Sequence, residues 1–372
     1  MFSRRSTFEA SLNSHAAHLA ALRAQGRTLV DLTISNPTDP RLGLALAFAR
    51  STGPLGDPRG ARYQPDPRGL ASARAAVCGY YSAHGATLDP AQIVLTASTS
   101  EAYAWLFTLL GDAGERILVP APSYPLFATL AQLTGIERAP YPEGDLDAIR
   151  GGLEGGAVAV VVVHPNNPTG RHVPRSAMAE LQRLCRAHGA AVIADEVFYD
   201  YALVQDPPPS HATMSQALTF TLSGLSKVCG LPGHKLGWIV VTGESPRPAR
   251  ALERLEVIAD AYLSASTPVQ AALPELLEGR HAFQRGIRDR LAGNVATLGG
   301  LVRPVEGGWT AVLPLGTGAD DEAVAKRLLD QGVIVHPGYL YDFAEPALVL
   351  SLLTPPEWLT EPVLESFFRA QG

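Results

Sequence analysis

Lysine and arginine together number 30 in this 372-residue chain, and only Lys227, Lys235 and Lys326 are lysine. A guanidinium keeps its proton in a protein, whereas an ammonium gives it up where the surroundings disfavour the charge. A lysine in a Gly-rich turn of a chain that otherwise uses arginine is therefore a candidate nucleophile. Lys227, in Ser223-Gly224-Leu225-Ser226-Lys227, meets that description. Lys326 lies in Asp321-Glu322-Ala323-Val324-Ala325-Lys326-Arg327, a surface-helix pattern, and reads as solvated. Asp195 follows directly on the apolar run Ala191 to Ala194. A carboxylate in that position needs a cation or hydrogen-bond donors.

The elements that must position these groups are legible as short apolar runs. Ile93 to Thr96, Ile117 to Val119, Ala157 to His164, Ala191 to Ala194 and Leu218 to Leu222 lack polar alternation, as strands covered on both faces do. Helix-like segments separate them, at Glu101 to Leu110, Leu126 to Leu133 and Ala177 to Ala187. The alternation predicts an α/β domain with a mainly parallel, doubly wound sheet. Trp238 to Val241 adds a strand and Ala249 to Ala261 a long helix. Beyond it, helices near 269–277, 282–301 and 321–330 mix with short strands at Thr310 to Leu313, Val333 to Val335 and Leu348 to Leu352. That predicts a smaller α+β domain, which the N-terminal helix and Leu29 to Ile34 would join. The expected division is 46–264 for the large domain, with 1–45 and 265–372 forming the small one.

Ligands of open α/β sheets bind outside the carboxyl ends of the strands. The segments just past each strand are Ser98-Thr99-Ser100-Glu101, Pro120-Ala121-Pro122-Ser123-Tyr124, Asn166-Asn167-Pro168-Thr169-Gly170, Asp195-Glu196 and Ser226-Lys227. Each has a structural reading: a helix cap, a turn aromatic, an Asn-Pro-Gly turn, a satisfied buried carboxylate. Each also has a chemical one: an anion cradle at a helix start, an aromatic plate, an amide donor, a charge partner, an amine. Pyridoxal 5'-phosphate is one cofactor that asks for the whole set. It takes a lysine amine for an imine, a carboxylate for its ring nitrogen, an aromatic face, a donor to its ring oxygen and a phosphate cup.

Three motifs in this order and spacing make the chain resemble the class I/II aminotransferases, fold-type I pyridoxal-phosphate enzymes. They are Asn167-Pro168-Thr169-Gly170, Ala194-Asp195-Glu196-Val197, and Ser226-Lys227 followed by Gly230-Leu231-Pro232-Gly233-His234-Lys235-Leu236-Gly237-Trp238. The resemblance implies that Lys227 carries the cofactor as an imine and later shuttles the substrate proton. It implies that Asp195 pairs with the ring nitrogen, Asn167 donates to the ring oxygen and Tyr124 stacks on the ring. Ser98, Thr99, Ser100 and Ser226 match phosphate-binding positions, and Lys235 stands where the family usually carries a phosphate-binding arginine. Tyr63, in Arg62-Tyr63-Gln64-Pro65, resembles a tyrosine that reaches the neighbouring subunit's phosphate, so a homodimer is implied. Asn36 and Tyr339 resemble substrate-pocket positions.

Three departures from the family pattern stand out. Phe198, with Tyr199 beside it, replaces a tyrosine that shares the ring oxygen. Gly224 replaces a serine, leaving Ser223 or Ser226 to cover the phosphate. Val349, in Leu348-Val349-Leu350-Ser351, takes the place of the arginine that holds the substrate carboxylate, with Arg41, Arg62 and Arg303 as candidate substitutes. The implied activity is transamination between an amino acid or amine and a keto acid. Another reaction on the same cofactor (decarboxylation, β- or γ-elimination, cyclising synthesis) is the alternative.

The formal net charge of −6 argues against a general nucleic-acid binder. No apolar run approaches the ~20 residues of a bilayer span, and the first residues lack the apolar block of a secretory signal. Cys78, Cys185 and Cys229 show neither disulfide-framework nor metal-ligand spacing, so no metal and a reducing cytoplasm are expected. A nucleotide-dependent dehydrogenase fails for want of a Gly-rich turn after the first strand. A cofactor-binding sensor would need an added DNA-binding module, and none is expected.

Overall fold

The computed structural model describes residue 5 and residues 12–44 and 65–371. Tyr63 and Arg62 lie outside the described residues. In chain order the first elements are helix α1 (Ser14–Ala24), strand β1 (Val30–Asp31), helix α2 (Ala71–Ser82), strand β2 (Ile93–Thr96) and helix α3 (Thr99–Leu110). Then come β3 (Arg116–Ala121), α4 (Leu126–Thr134), β4 (Glu137–Pro142), α5 (Leu146–Glu154), β5 (Ala159–Val163), α6 (Arg175–His188), β6 (Ala191–Asp195), β7 (Thr219–Gly224), the short α7 (Leu225–Val228), β8 (Gly237–Thr242) and α8 (Arg247–Tyr262). The remainder is α9 (Thr267–Glu278), α10 (Arg280–Leu298), β9 (Thr310–Pro314), α11 (Asp321–Asp330), β10 (Val333–Ile334), β11 (His336–Pro337), β12 (Ala347–Ser351) and α12 (Glu361–Gln371).

The large sheet has seven strands in the order β2-β8-β7-β6-β5-β3-β4, parallel except for β8, which runs against both neighbours. Every residue of β5 and β6 is buried, which is why their sequences read as unbroken apolar runs. Side chains alternate between two helical layers, as strand geometry requires. Val161, Val163, Ile193 and Phe220 pack with α3, α4 and α8, whereas Val160, Val162, Val192 and Ala194 pack with α5 and α6. The register sets Val163 beside Asp195 and Asp195 beside Leu222, so the carboxyl ends of β5, β6 and β7 lie level.

A second sheet, β11-β12-β9, is antiparallel, and β1 pairs in parallel with β10. Leu29 to Ile34 thus joins the C-terminal segment, as the sequence suggests. Its core gathers Leu313, Leu348, Leu350, Ile287 and Leu291, together with Phe198, Tyr201 and Trp309. Phe198 and Tyr201 follow β6, so this core is continuous with the loops above the large sheet. Helix α9 packs on the other side, with α2 and with Trp238 and Val240 of β8.

Helices α2, α5 and α12 and strand β4 have no counterpart in the sequence reading. Among the described residues, strand β4, Glu-Arg-Ala-Pro-Tyr-Pro, pairs with β3 alone, and a sheet edge tolerates its prolines and charges. Helix α5 contains Gly151-Gly152, which lowers helix propensity. A Cβ at Gly152 would meet the Leu118 side chain at 2.6 Å, so the glycine lets α5 pack against β3 without displacing that leucine.

The Asn166–Gly170 turn offers a local stability test. Gly170 has φ +70°, and a Cβ there would lie 2.6 Å from the Gly307 carbonyl oxygen. Gly85 has φ +81° with open space around it. Gly85→Ala is expected to cost about 1 kcal/mol through the left-handed conformation alone. Gly170→Ala should cost roughly 2 kcal/mol more through forced displacement of the turn. Urea unfolding of both variants measures this, and equal losses would contradict the packing account.

Candidate active site

A cavity of about 400 Å³ opens at the carboxyl ends of β5, β6 and β7 and is closed above by the second sheet. Ser98, Thr99, Ser100, Tyr124, Asn167, Asp195, Ser226, Lys227 and Lys235 all line it. Groups spread over 138 positions of sequence therefore converge because five strand ends do.

Asp195 is the last residue of β6. Its Oδ2 accepts the Tyr103 hydroxyl at 3.0 Å and its Oδ1 accepts the Val197 N–H at 3.1 Å. Burial nonetheless raises its pKa to about 6, against the pull of these donors and of Lys227. Lys227 lies in α7, where the Tyr201 hydroxyl donates to its carbonyl oxygen at 2.5 Å. Its Nζ sits 4.9 Å from the Trp309 ring centroid and 5.5 Å from that of Phe198. Burial lowers the Lys227 pKa to about 8, with Asp195 acting in the opposite sense. Aromatic faces give the ammonium some attraction but do not replace hydration.

The far end of the cavity is built for an anion. Ser98 caps α3, its Oγ accepting the Glu101 N–H, while a Glu101 carboxylate oxygen takes the Ala97 N–H. The helix-cap reading of Ser98 is therefore correct. It also leaves the first-turn N–H groups and hydroxyls of Thr99 and Ser100 on the cavity wall, at the positive end of a twelve-residue helix. Lys235, at φ +52°, and Ser226 complete this side. Gly224 and Gly237 pair across β7 and β8 on the floor between them. A Cβ at Gly224 would meet the Leu236 carbonyl oxygen at 2.8 Å, which explains why no serine stands there. Ser223 is fully buried and does not line the cavity.

The substrate-side candidates lie apart from the cofactor-side ones. The cavity wall does not include Asn36 or Tyr339. The Asn36 amide oxygen turns back to accept the N–H and hydroxyl of Thr38, and Tyr339 is exposed with its N–H on Asp321. Thr33, Ser35, Trp309, His336 and Tyr341 line that wall instead. Arg41 pairs with Asp39, and Arg303 pairs with Glu345; neither lines the cavity. Phe198 does, whereas the Tyr199 hydroxyl donates to the Pro208 carbonyl elsewhere.

Sequence reasoning missed a buried polar knot behind the β5 and β6 ends. Nitrogens of His164 and His211 and a Glu196 oxygen lie within 4.8 Å of one another, a grouping that metal ions can use. Here Glu196 already accepts the Ser210 hydroxyl and the His211 N–H, both at 2.6 Å. The His164 Nδ1 accepts the Val173 N–H at 3.0 Å, which puts the ring hydrogen on Nε2 and makes that atom a donor.

The fold is shared with solved aminotransferases: alanine aminotransferase from Pyrococcus furiosus superposes with a TM-score of 0.84 at 22% identity, covering 99% of each chain. A family model described as aminotransferase class I and II matches residues 27–357, and the chain belongs to that family. Glutamate-pyruvate aminotransferase AlaA of Escherichia coli is 32% identical over 233 residues, 60% of this chain. The chain spans just over half that relative's length, 57%. Tyrosine aminotransferase of Bos taurus is 26% identical over 377 residues, covering 93% of this chain and 82% of the relative.

The displaced Lys227 pKa has a thermodynamic consequence. Between about 8 and the usual 10.5 the unfolded chain holds a proton that the folded, ligand-free chain has released. Stability therefore rises with pH across that window and carries the full desolvation cost below it. Relative to Lys227→Met, the ligand-free chain should gain roughly 1–2 kcal/mol between about pH 7.5 and 9.5. Urea unfolding at the two pH values checks this, and a constant difference would mean that Lys227 is hydrated.

Proposed function

We propose that this chain is a pyridoxal-phosphate-dependent aminotransferase. The observation that carries the reading is the meeting of Lys227, Asp195 and the Thr99–Ser100–Ser226–Lys235 cup in one cavity. The donor set suits the cofactor. Among the described residues, Lys227 is an amine acted on by aromatic rings and Asp195, and Asp195 is a carboxylate held out of water. The Asn167 side chain lines the cavity with its amide oxygen unpartnered among the described residues, and its NH2 group is the donor that a ring oxygen would take. Lys227 would hold the aldehyde carbon, Asp195 the ring nitrogen, Tyr124 a ring face, Asn167 the ring oxygen, and Ser98, Thr99, Ser100, Ser226 and Lys235 the phosphate. Bound there, the cofactor supplies an aldehyde for amines and a ring that withdraws electrons from the substrate α-carbon.

The chain's own groups do the rest. Desolvation brings the Lys227 pKa down to about 8, so far more neutral amine is available than in an exposed lysine, as a nucleophile and, once displaced by substrate, as a base at the α-carbon. The same atom returns that proton on the other side of the transfer. Asp195, oriented by Tyr103 and the Val197 N–H, stays ionised when a cation faces it, because the charge it lacks in the empty site is then provided. Phe198 leaves the ring oxygen with one amide donor and no phenol.

The proposed division of the chain remains 46–264 against 1–45 with 265–372, with α9 seated on the large-domain side. A homodimer is supported by the resemblance at Tyr63, outside the described residues. Three unpaired cysteines support a reducing cytoplasm, and among the described residues no helix is long and apolar enough to cross a membrane. Decarboxylation, elimination or cyclisation is the second reading, favoured by one observation: no arginine of the described residues lines the cavity.

Purified protein should be yellow, and borohydride should fix one cofactor mass on the peptide containing Lys227. Lys227→Ala should lose both this adduct and at least about 10³-fold in turnover. Asp195→Asn should keep the adduct and lose roughly 10²-fold. Mixing with single amino acids discriminates the readings: transamination stops after one equivalent without a keto acid, whereas elimination continues and releases ammonia. Undiminished turnover in Lys227→Ala would sink the proposal.

A further inference from the structure

An amino-acid substrate brings a carboxylate into the cavity, and that charge needs a donor there. The inference rests on the aminotransferase reading just given. Among the described residues, the lining cations are Lys227 and Lys235, and both are taken, one by the reaction and one by the phosphate cup. The wall contributed by the second sheet holds one further titratable nitrogen group, His336. It stands opposite Val349 in the β11–β12 register, so the two side chains share a face, and both line the cavity. Its Nδ1 lies 3.0 Å from the Tyr341 hydroxyl, which lines the same wall. The Trp309 indole N–H, beside them in the lining, is buried with no acceptor among the described residues.

We propose that His336, oriented by Tyr341, receives the carboxylate of the amino-acid substrate on the wall where Val349 carries no charge, binding it as an imidazolium. The proton comes from solvent as the anion enters, so substrate binding takes up one proton. In the empty site burial holds the ring neutral, with a smaller contribution from His15 of α1, while Asp31 of β1 favours the charge. Asp31 is itself engaged by Arg23 at 3.2 Å and Arg41 at 3.7 Å. From α11, Glu322 and Lys326 face His15 and Asp321 takes the Tyr339 N–H; from β12 comes only Val349. An arriving carboxylate is thus the unengaged anion at the ring.

Propionate and propionamide are suitable probes, because neither has an amine that titrates. The holoenzyme is used, with the borohydride adduct on Lys227 verified first. Propionate should inhibit competitively, its Ki weakening about tenfold per pH unit from about pH 6.5 to 8, and propionamide should show no such slope. His336→Gln should raise the propionate Ki and the KM for amino acids by roughly ten- to a hundredfold, abolish the slope and leave the adduct intact. Adding Val349→Arg to that variant should restore binding without the slope. A slope that persists in His336→Gln belongs to Lys227 and overturns the proposal. A Ki independent of pH in the unaltered enzyme overturns it without recourse to any variant. Absence of the Lys227 adduct would instead refute the cofactor reading on which the proposal stands.

Discussion

An ammonium and a carboxylate are both held out of water at the end of an apolar sheet. Asp195 closes β6, Lys227 sits just past β7, and desolvation drives each toward its neutral form: the acid up to about 6, the amine down to about 8. Their mutual attraction opposes both shifts without cancelling either. Stability alone does not account for keeping the two groups there, since replacing buried charges together by well-packed apolar side chains is often neutral or favourable. The apolar layers on both faces of the sheet must offset that cost. An empty site poised in this way favours a ligand that carries complementary charges, because the protein groups need no reorganisation to meet it.

The surrounding structure fixes those two groups from different directions. Tyr103 comes from α3, on one helical layer, and the Val197 N–H from the loop after β6. Tyr201 reaches over to the Lys227 carbonyl, and Trp309 of the second sheet covers the Lys227 side chain while packing on Phe198 and Tyr201. Because Trp309 belongs to the core of the second sheet, a change in how that sheet sits would alter the surroundings of the Lys227 amine directly. Paired glycines at 224 and 237 let β7 and β8 approach where a side chain would fill the floor.

The sheet and the residues lining the cavity at its carboxyl edge were readable from sequence because their signals are local. Strands buried on both faces must be apolar throughout, and the residue after each such run must lie at the carboxyl edge. The rarity of lysine then singled out Lys227. The opposite wall is not local. Thr33, His336, Tyr341 and Trp309 reach the cavity through pairings between β9, β11 and β12 and through the fold of the 33–38 turn, none of which leaves a periodic trace. Asn36 and Tyr339 lie off the described cavity wall, because a turn residue's neighbours are visible in sequence and its side-chain direction is not. Tyr103 could be placed on α3 from sequence, but only the packing of that helix reveals that its hydroxyl meets Asp195. Strand β4 and helix α5 were hidden by prolines and glycines that edge position and close packing make tolerable.

Charge balance gives a physical reason for a wall without arginine. The described cavity lining already holds two lysines against one aspartate. A guanidinium at position 349 would add a third cation that cannot lose its proton, and like charge would further disfavour protonated Lys227. An imidazole imposes no such penalty in the empty site, since burial favours its neutral form. The exchange has a cost: planar bidentate recognition is lost, and binding becomes coupled to proton activity. Under the proposed reading, this wall trades affinity at high pH for an amine whose nucleophilicity is set by Asp195 and its aromatic cover alone.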